Sequence, residues 1–307
     1  AVTALDLRGC STLRSLDALS HLKSLQRLRV SGSWSLEDVS GLASLTGLTE
    51  LHIQGASSLR SLVGLAGLTA LTDLSLRGAK EIKDLGPLAG MTGLTKLDLG
   101  GCAGITDLDP VSGLAALTAL FLPGCGSLLH LDALSGLTEL RELDLADCDG
   151  LVCWEGLAGL RGLKTLDLSG ASREAVEAVS GLVGLEELVL SSCAGLEDAH
   201  GLSRLMELRT LSLAQCDVRE VDGLSGLTRI EDLDLSRCGY LTQVDGLAGL
   251  RSPKSVDLSG CATLASVQGL SGTASIGSLA LTGCTSLDDL GPLGEVALGE
   301  LVVGGRF

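Results

Sequence analysis

An α/β solenoid of parallel strands is the fold this sequence predicts, and three observations predict it. A two-leucine core, L-x-L, returns every 22 or 23 residues from Leu5 to Leu301, so that fourteen copies fill the chain. Within each copy the apolar period changes from two to three, as in Leu97 and Leu99 followed by Ile105, Leu108, Val111, Leu114 and Leu117. Apolar residues make up 45% of the 307 and charged residues 20%, enough to feed a core that repeats without interruption. Length alone would suggest two domains. The unbroken register over residues 1 to 307 leaves no room for a linker, and a single domain of thirteen to fourteen repeats is expected.

The strand comes first in each unit. In Leu97-Asp98-Leu99 the alternation buries both leucines and turns Asp98 outward. Stacked about 4.8 Å apart, fourteen such strands extend roughly 60 to 70 Å, and the narrower strand side becomes concave. Five residues past each anchor leucine a short side chain turns inward. Nine of the ten cysteines take that slot, namely Cys10, Cys102, Cys125, Cys148, Cys193, Cys216, Cys238, Cys261 and Cys284, while Ser33, Ala56, Ala79 and Ala171 fill it elsewhere. A small, weakly polar thiol suits a buried position, so the column reads as a structural ladder of free, unreactive thiols. One thiol per rung makes a line and not a tetrahedron, and no metal site is expected. Past the slot, apolar residues three apart suit 3₁₀ or irregular turns better than an α-helix. Cys153 stands outside the ladder beside Trp154, which takes a leucine slot and is expected in the core. No histidine lies near Cys153 in sequence to complete a metal or redox site.

The fullest units, such as Leu94 to Leu108 with Leu97-Asp98-Leu99-Gly100-Gly101-Cys102 at their centre, resemble the leucine-rich repeats, and the resemblance covers residues 1 to 307. The runs Ile82 to Leu88 and Leu287 to Leu293 look like the short class found in internalins and in phosphatase-regulating proteins, although most units here carry one residue more than the usual 22 or so. In texture the serial L-D-L-S-G-C phrases are similar to leucine-rich-repeat proteins of kinetoplastid protozoa. The resemblance implies a horseshoe with a concave parallel sheet and a non-catalytic role in protein binding or scaffolding, within a multiprotein or cytoskeletal assembly. The alternative is a soluble regulatory subunit of the phosphatase-regulating kind, or an F-box-type substrate receptor.

Charge narrows the partners. Twenty-two basic against 38 acidic residues give a net charge of -16, and no basic run appears, so nucleic acid is not an expected ligand. No apolar run approaches the roughly 20 residues needed to cross a bilayer, and membrane insertion is not expected. A protein with a basic surface suits this balance better. The residue after each anchor should face out of the concave sheet. Asp98, Asp144, Asp167, Asp234 and Asp257, with the lone aromatic Phe121, are the candidate partner-binding residues of that column, Asp144 and Asp167 being the best-placed pair. A merely solvated strand face is the competing account. Arg8, Arg27 and Arg29 make one end mildly basic.

No catalytic residues are assigned. The four histidines, His21, His52, His130 and His200, fall on different repeats, and no G-x-S-x-G, H-x-x-x-H or phosphate-loop motif occurs. No cofactor is implied. Unpaired thiols favour a reducing compartment, so a cytoplasmic setting, cytoskeletal or flagellar, is expected, with the cell surface or secretion as the alternative. Neither end has a cap pattern, and the chain is expected to belong to a longer protein or a larger complex that covers rungs such as Leu5 and Leu7.

Overall fold

The computed structural model describes residues 1–304. Each L-x-L core is a short strand: β1 Ala4–Asp6, β2 Arg27–Arg29, β3 Glu50–His52, β4 Asp73–Ser75, β5 Lys96–Asp98, β6 Ala119–Phe121 and β7 Glu142–Asp144, then β8 Thr165–Asp167, β9 Glu187–Val189, β10 Thr210–Ser212, β11 Asp232–Asp234, β12 Ser255–Asp257, β13 Ser275–Ala280 and β14 Ala297–Val302. Two compact units divide the chain, Ala1–Leu163 with β1 to β7 and Lys164–Phe307 with β8 to β14. Within each unit the strands pair in parallel in chain order.

Register follows from the leucines. Leu97 stands opposite Leu120 and Leu120 opposite Leu143, so within a unit each rung sets its anchor on the anchor before. Leu97, Leu99, Ile105, Leu108, Val111, Leu114 and Leu117 are all buried, as their two periods predict. Each such leucine stabilises the rung by about 1.5–3 kcal/mol on burial. Leu5 and Leu7, in the first rung, are only half-buried.

The turn out of each strand needs a positive φ. Glycine supplies it in most rungs, Gly101 and Gly124 among them, and Asp147, Ser192, Gln215 and Arg237 adopt it in four others. The return path is built of short 3₁₀ helices such as Asp109–Val111 and Asp132–Leu134, as the period of three predicts. Entry to eight of these helices is capped. The carboxylates of Asp84, Asp107 and Asp289 each accept the amide two residues on, at 2.7 Å. Ser15, Asp38, Ser61, Asp198 and Ser266 do the same in their own rungs.

One rung departs from the expectation of 3₁₀ or irregular turns. Arg173–Val179 is an α-helix, α1, entered from an extended Ser172. Its sequence, Arg-Glu-Ala-Val-Glu-Ala-Val, is free of glycine and rich in good helix formers. It buries Ala175, Val176 and Val179 on one face.

Candidate functional site

The inward slot is a hydrogen-bonded ladder. Eight of its nine thiols are buried, and each donates to the carbonyl of the second strand leucine one rung earlier. Cys102 Sγ reaches Leu76 O at 3.3 Å, Cys125 Sγ reaches Leu99 O at 3.3 Å and Cys148 Sγ reaches Leu122 O at 3.1 Å. Cys193, Cys216, Cys238, Cys261 and Cys284 repeat the contact on Leu168, Leu190, Leu213, Leu235 and Leu258. Burial pushes four of these thiols up, to about 11 at Cys102 and Cys148 and to about 12 at Cys238 and Cys261. Cys10 corrects the reading of a uniformly buried column. It is exposed, because among the described residues no rung packs over its side of the first strand. Ser33 fills the same slot without a partner for its buried hydroxyl.

On the strand face of the first unit several charges satisfy one another. Arg29 meets Glu50 at 2.7 Å and His52 meets Asp73 at 3.2 Å. Arg77 lies 3.8 Å from Asp98, whose second carboxylate oxygen accepts the Ser75 hydroxyl at 3.0 Å. Phe121 sits between Asp98 and Asp144 in register, as its column predicts, and is half-buried with the Lys96 ammonium 5.4 Å from its ring centre. The aspartates of the column have a task that sequence reasoning missed. Asp98, Asp144, Asp167, Asp234 and Asp257 each turn one oxygen back to the amide two residues on, at 2.7 to 3.0 Å. This contact half-buries them and fixes the turn that leaves the strand. Asp144 and Asp167 belong to different units.

The strand face of the second unit is different. A depression of about 420 Å³ lies over β10 to β13, lined in part by Asp232, Asp234 and Asp257 with the hydroxyls of Ser212, Ser255 and Ser278. Asp234 stands directly opposite Asp257. Among the described residues, no ion pair involves these three aspartates. The nearby bases Arg209 and Lys254 are held instead by Glu231. The candidate residues Asp234 and Asp257 are thus brought together on one acidic patch, with Asp232 added to them.

A second cluster brings to Cys153 a histidine that is distant from it in sequence. His130 pairs with Cys153 through a parallel bridge, and the ligand atoms of His130, Asp132 and Cys153 lie within 4.8 Å of one another. The Cys153 thiol donates to Glu155 Oε2 at 2.6 Å, which raises the thiol pKa and lowers that of the carboxyl. Trp154 between them is buried, as its leucine slot predicts. The signal was present in the sequence: 23 residues separate His130 from Cys153, one full repeat, so a parallel stack makes them neighbours.

No protein-family model matches the chain, and no curated protein does. Among solved structures, an internalin of Listeria monocytogenes, InlF, is similar over 99% of this chain and 88% of its own, with a TM-score of 0.80 and 22% identity. The mouse RP105/MD-1 complex is similar over 92% of this chain at a TM-score of 0.70 and 21% identity, and this chain spans 50% of the length matched there. Likeness at such identity is likeness of fold. Together with one parallel strand per rung, 3₁₀ returns and a buried ladder of thiols, it identifies the fold of this chain as the leucine-rich-repeat solenoid.

Proposed function

We propose that the chain is a non-catalytic protein-binding module that receives a lysine- or arginine-rich segment on the strand face of β10 to β13. The carrying observation is the contrast in pairing. Asp232, Asp234 and Asp257 line an open depression outside every described ion pair, whereas Asp73 and Asp98 in the first unit are already met by His52 and Arg77. An acidic patch whose neighbouring cations are held by Glu231 attracts a basic partner and speeds its encounter. The fold suits protein interaction in general. A scaffold component of a multiprotein assembly fits the near-uniform repeats better than a phosphatase-regulating subunit or an F-box-type receptor. The thiols, which donate to carbonyls, favour a reducing, cytoplasmic setting.

Surface plasmon resonance against lysine- and arginine-rich peptides across a salt series tests this reading, with cross-linking mass spectrometry of the native complex as the second arm. The triple variant Asp232→Asn, Asp234→Asn, Asp257→Asn should slow association and flatten the salt dependence. Unchanged kinetics, with cross-links on the 3₁₀ turns, would place the partner elsewhere.

A further inference from the structure

At the entrance to most of the 3₁₀ turns two outward side chains flank an apolar one, and in eight rungs the first flanking residue is the serine or aspartate that caps the turn. Four rungs lack that cap: Glu220 and Gln243 hold the place in two of them, and the other two are consecutive. His130 and Cys153 occupy the capping place, bridged to each other. The second flanking place in the same rungs holds Asp132 and Glu155. An imidazole, a thiol and two carboxylates therefore meet on a patch two rungs high, with Leu131 and Trp154 buried beneath it. Among the described residues, none of the four takes part in an ion pair with lysine or arginine.

We propose that His130, Asp132, Cys153 and Glu155 bind one divalent transition-metal ion, for which zinc is the best-suited occupant. Zinc accepts this mixed set of sulfur, nitrogen and oxygen in a tetrahedron, with bonds near 2.3 Å to sulfur and about 2.0–2.2 Å to nitrogen and oxygen. Ligand atoms in such a tetrahedron lie roughly 3.3 to 3.6 Å apart. Three of the ligand atoms here already lie within 4.8 Å of one another, and the thiol is 2.6 Å from Glu155. The remaining closure falls to the side chains of His130, Asp132 and Glu155, which are exposed and turn without disturbing the buried leucine rungs. On binding, a sulfur–metal bond forms at Cys153, its S–H bond breaks and the proton passes to solvent. Glu155 exchanges the thiol proton for the metal. Thiolate and imidazole together select against calcium and magnesium, which take oxygen ligands.

Cobalt(II) titration of the full chain, freed of metal by dialysis against chelator, tests the site, because a cobalt–thiolate bond absorbs in the near ultraviolet and four-coordinate cobalt absorbs strongly in the visible. The expected result is one cobalt per chain with both bands, displaced by zinc and unaffected by Cys10→Ser, the variant that removes the exposed ladder thiol. Cys153→Ser should abolish the thiolate band. His130→Ser should weaken binding by about 100-fold or more, since even outer-shell partners of a metal contribute about 10–100-fold. Both serines are side chains that Ser15 and Ser61 already place at this position as caps, so the fold keeps its rung. Circular dichroism checks that folding. Absence of the thiolate band with cobalt in excess, its persistence in Cys153→Ser, or displacement of cobalt by calcium as readily as by zinc would each overturn the assignment.

Discussion

Replacing Gly41 with alanine sets a methyl carbon 2.5 Å from the Leu16 carbonyl oxygen and 2.5 Å from the Asp17 Cα of the rung before. Ordinary contact begins near 3.4 Å, so one of two main-chain segments must retreat by about 0.9 Å. Neither can do so cheaply. Both belong to turns whose hydrogen bonds hold the return path, with Leu19 N on Leu16 O at 2.9 Å and Leu42 N on Val39 O at 3.0 Å. Overpacking of this kind costs about 1–3 kcal/mol. The same place in other rungs holds Ala133 and Pro110, so the fold itself accepts a β-carbon there, and only the close approach of the preceding corner forbids it at Gly41. Gly90 is the control, since a β-carbon there meets nothing within 4 Å. Gly90→Ala should stabilise by about 0.4–1 kcal/mol through the unfolded chain. Urea unfolding followed by circular dichroism reads both. The reasoning fails if Gly41→Ala keeps the parent midpoint, or if Gly90→Ala loses as much as Gly41→Ala does.

Other outcomes are equally open to measurement. Leu120→Ala, in a fully buried anchor, should cost about 2–5 kcal/mol in the same unfolding assay. Ser33→Cys should raise stability by about 1 kcal/mol, by giving the unpartnered slot a thiol long enough to reach the preceding carbonyl. In the folded protein a thiol reagent should modify Cys10 and Cys153 and leave the eight buried cysteines untouched until denaturant is added, as counted by mass spectrometry. Asp38 provides a test of pH. The Ser40 hydroxyl and then the Ser40 amide hold its carboxyl below the usual aspartate range, so its stabilising effect is complete above the unfolded pKa and is lost as pH falls through the lower folded one. Asp38→Asn should therefore show a smaller fall of the urea midpoint on acidification than the parent.

Strand positions and the ladder were legible because a parallel stack converts sequence period directly into space. Leu97, Leu120 and Leu143 lie a fixed interval apart and so lie on one another. The same arithmetic joins His130 to Cys153, but a search confined to near neighbours in sequence passes over it. Roles set by side-chain reach were harder to read. Asp98 and Asp257 alternate with leucines whether they face water or bind an amide two residues on, and only the turn that follows decides. The acidic character of the column was visible in the sequence. Its division into a self-paired first unit and an unpaired second unit depends on where arginines such as Arg29 and Arg77 reach across rungs. The helix α1 broke the expected period for a local reason, a glycine-free run with five good helix formers among its seven residues in place of a leucine triplet.

The thiol ladder also decides where the chain opens first. Each buried cysteine ties its rung to the one before, all in the same direction, so neighbouring rungs share a side-chain bond as well as their main-chain ladder. Ser33, Ala56 and Ala79 leave three successive rungs without that tie. In a nearest-neighbour chain of this kind the weakest couplings set the boundary between cooperative blocks. Amide exchange should accordingly run ahead in β2 to β4 and slow from β5 onward through β7, where Cys102, Cys125 and Cys148 bind their rungs into one block that closes and opens together.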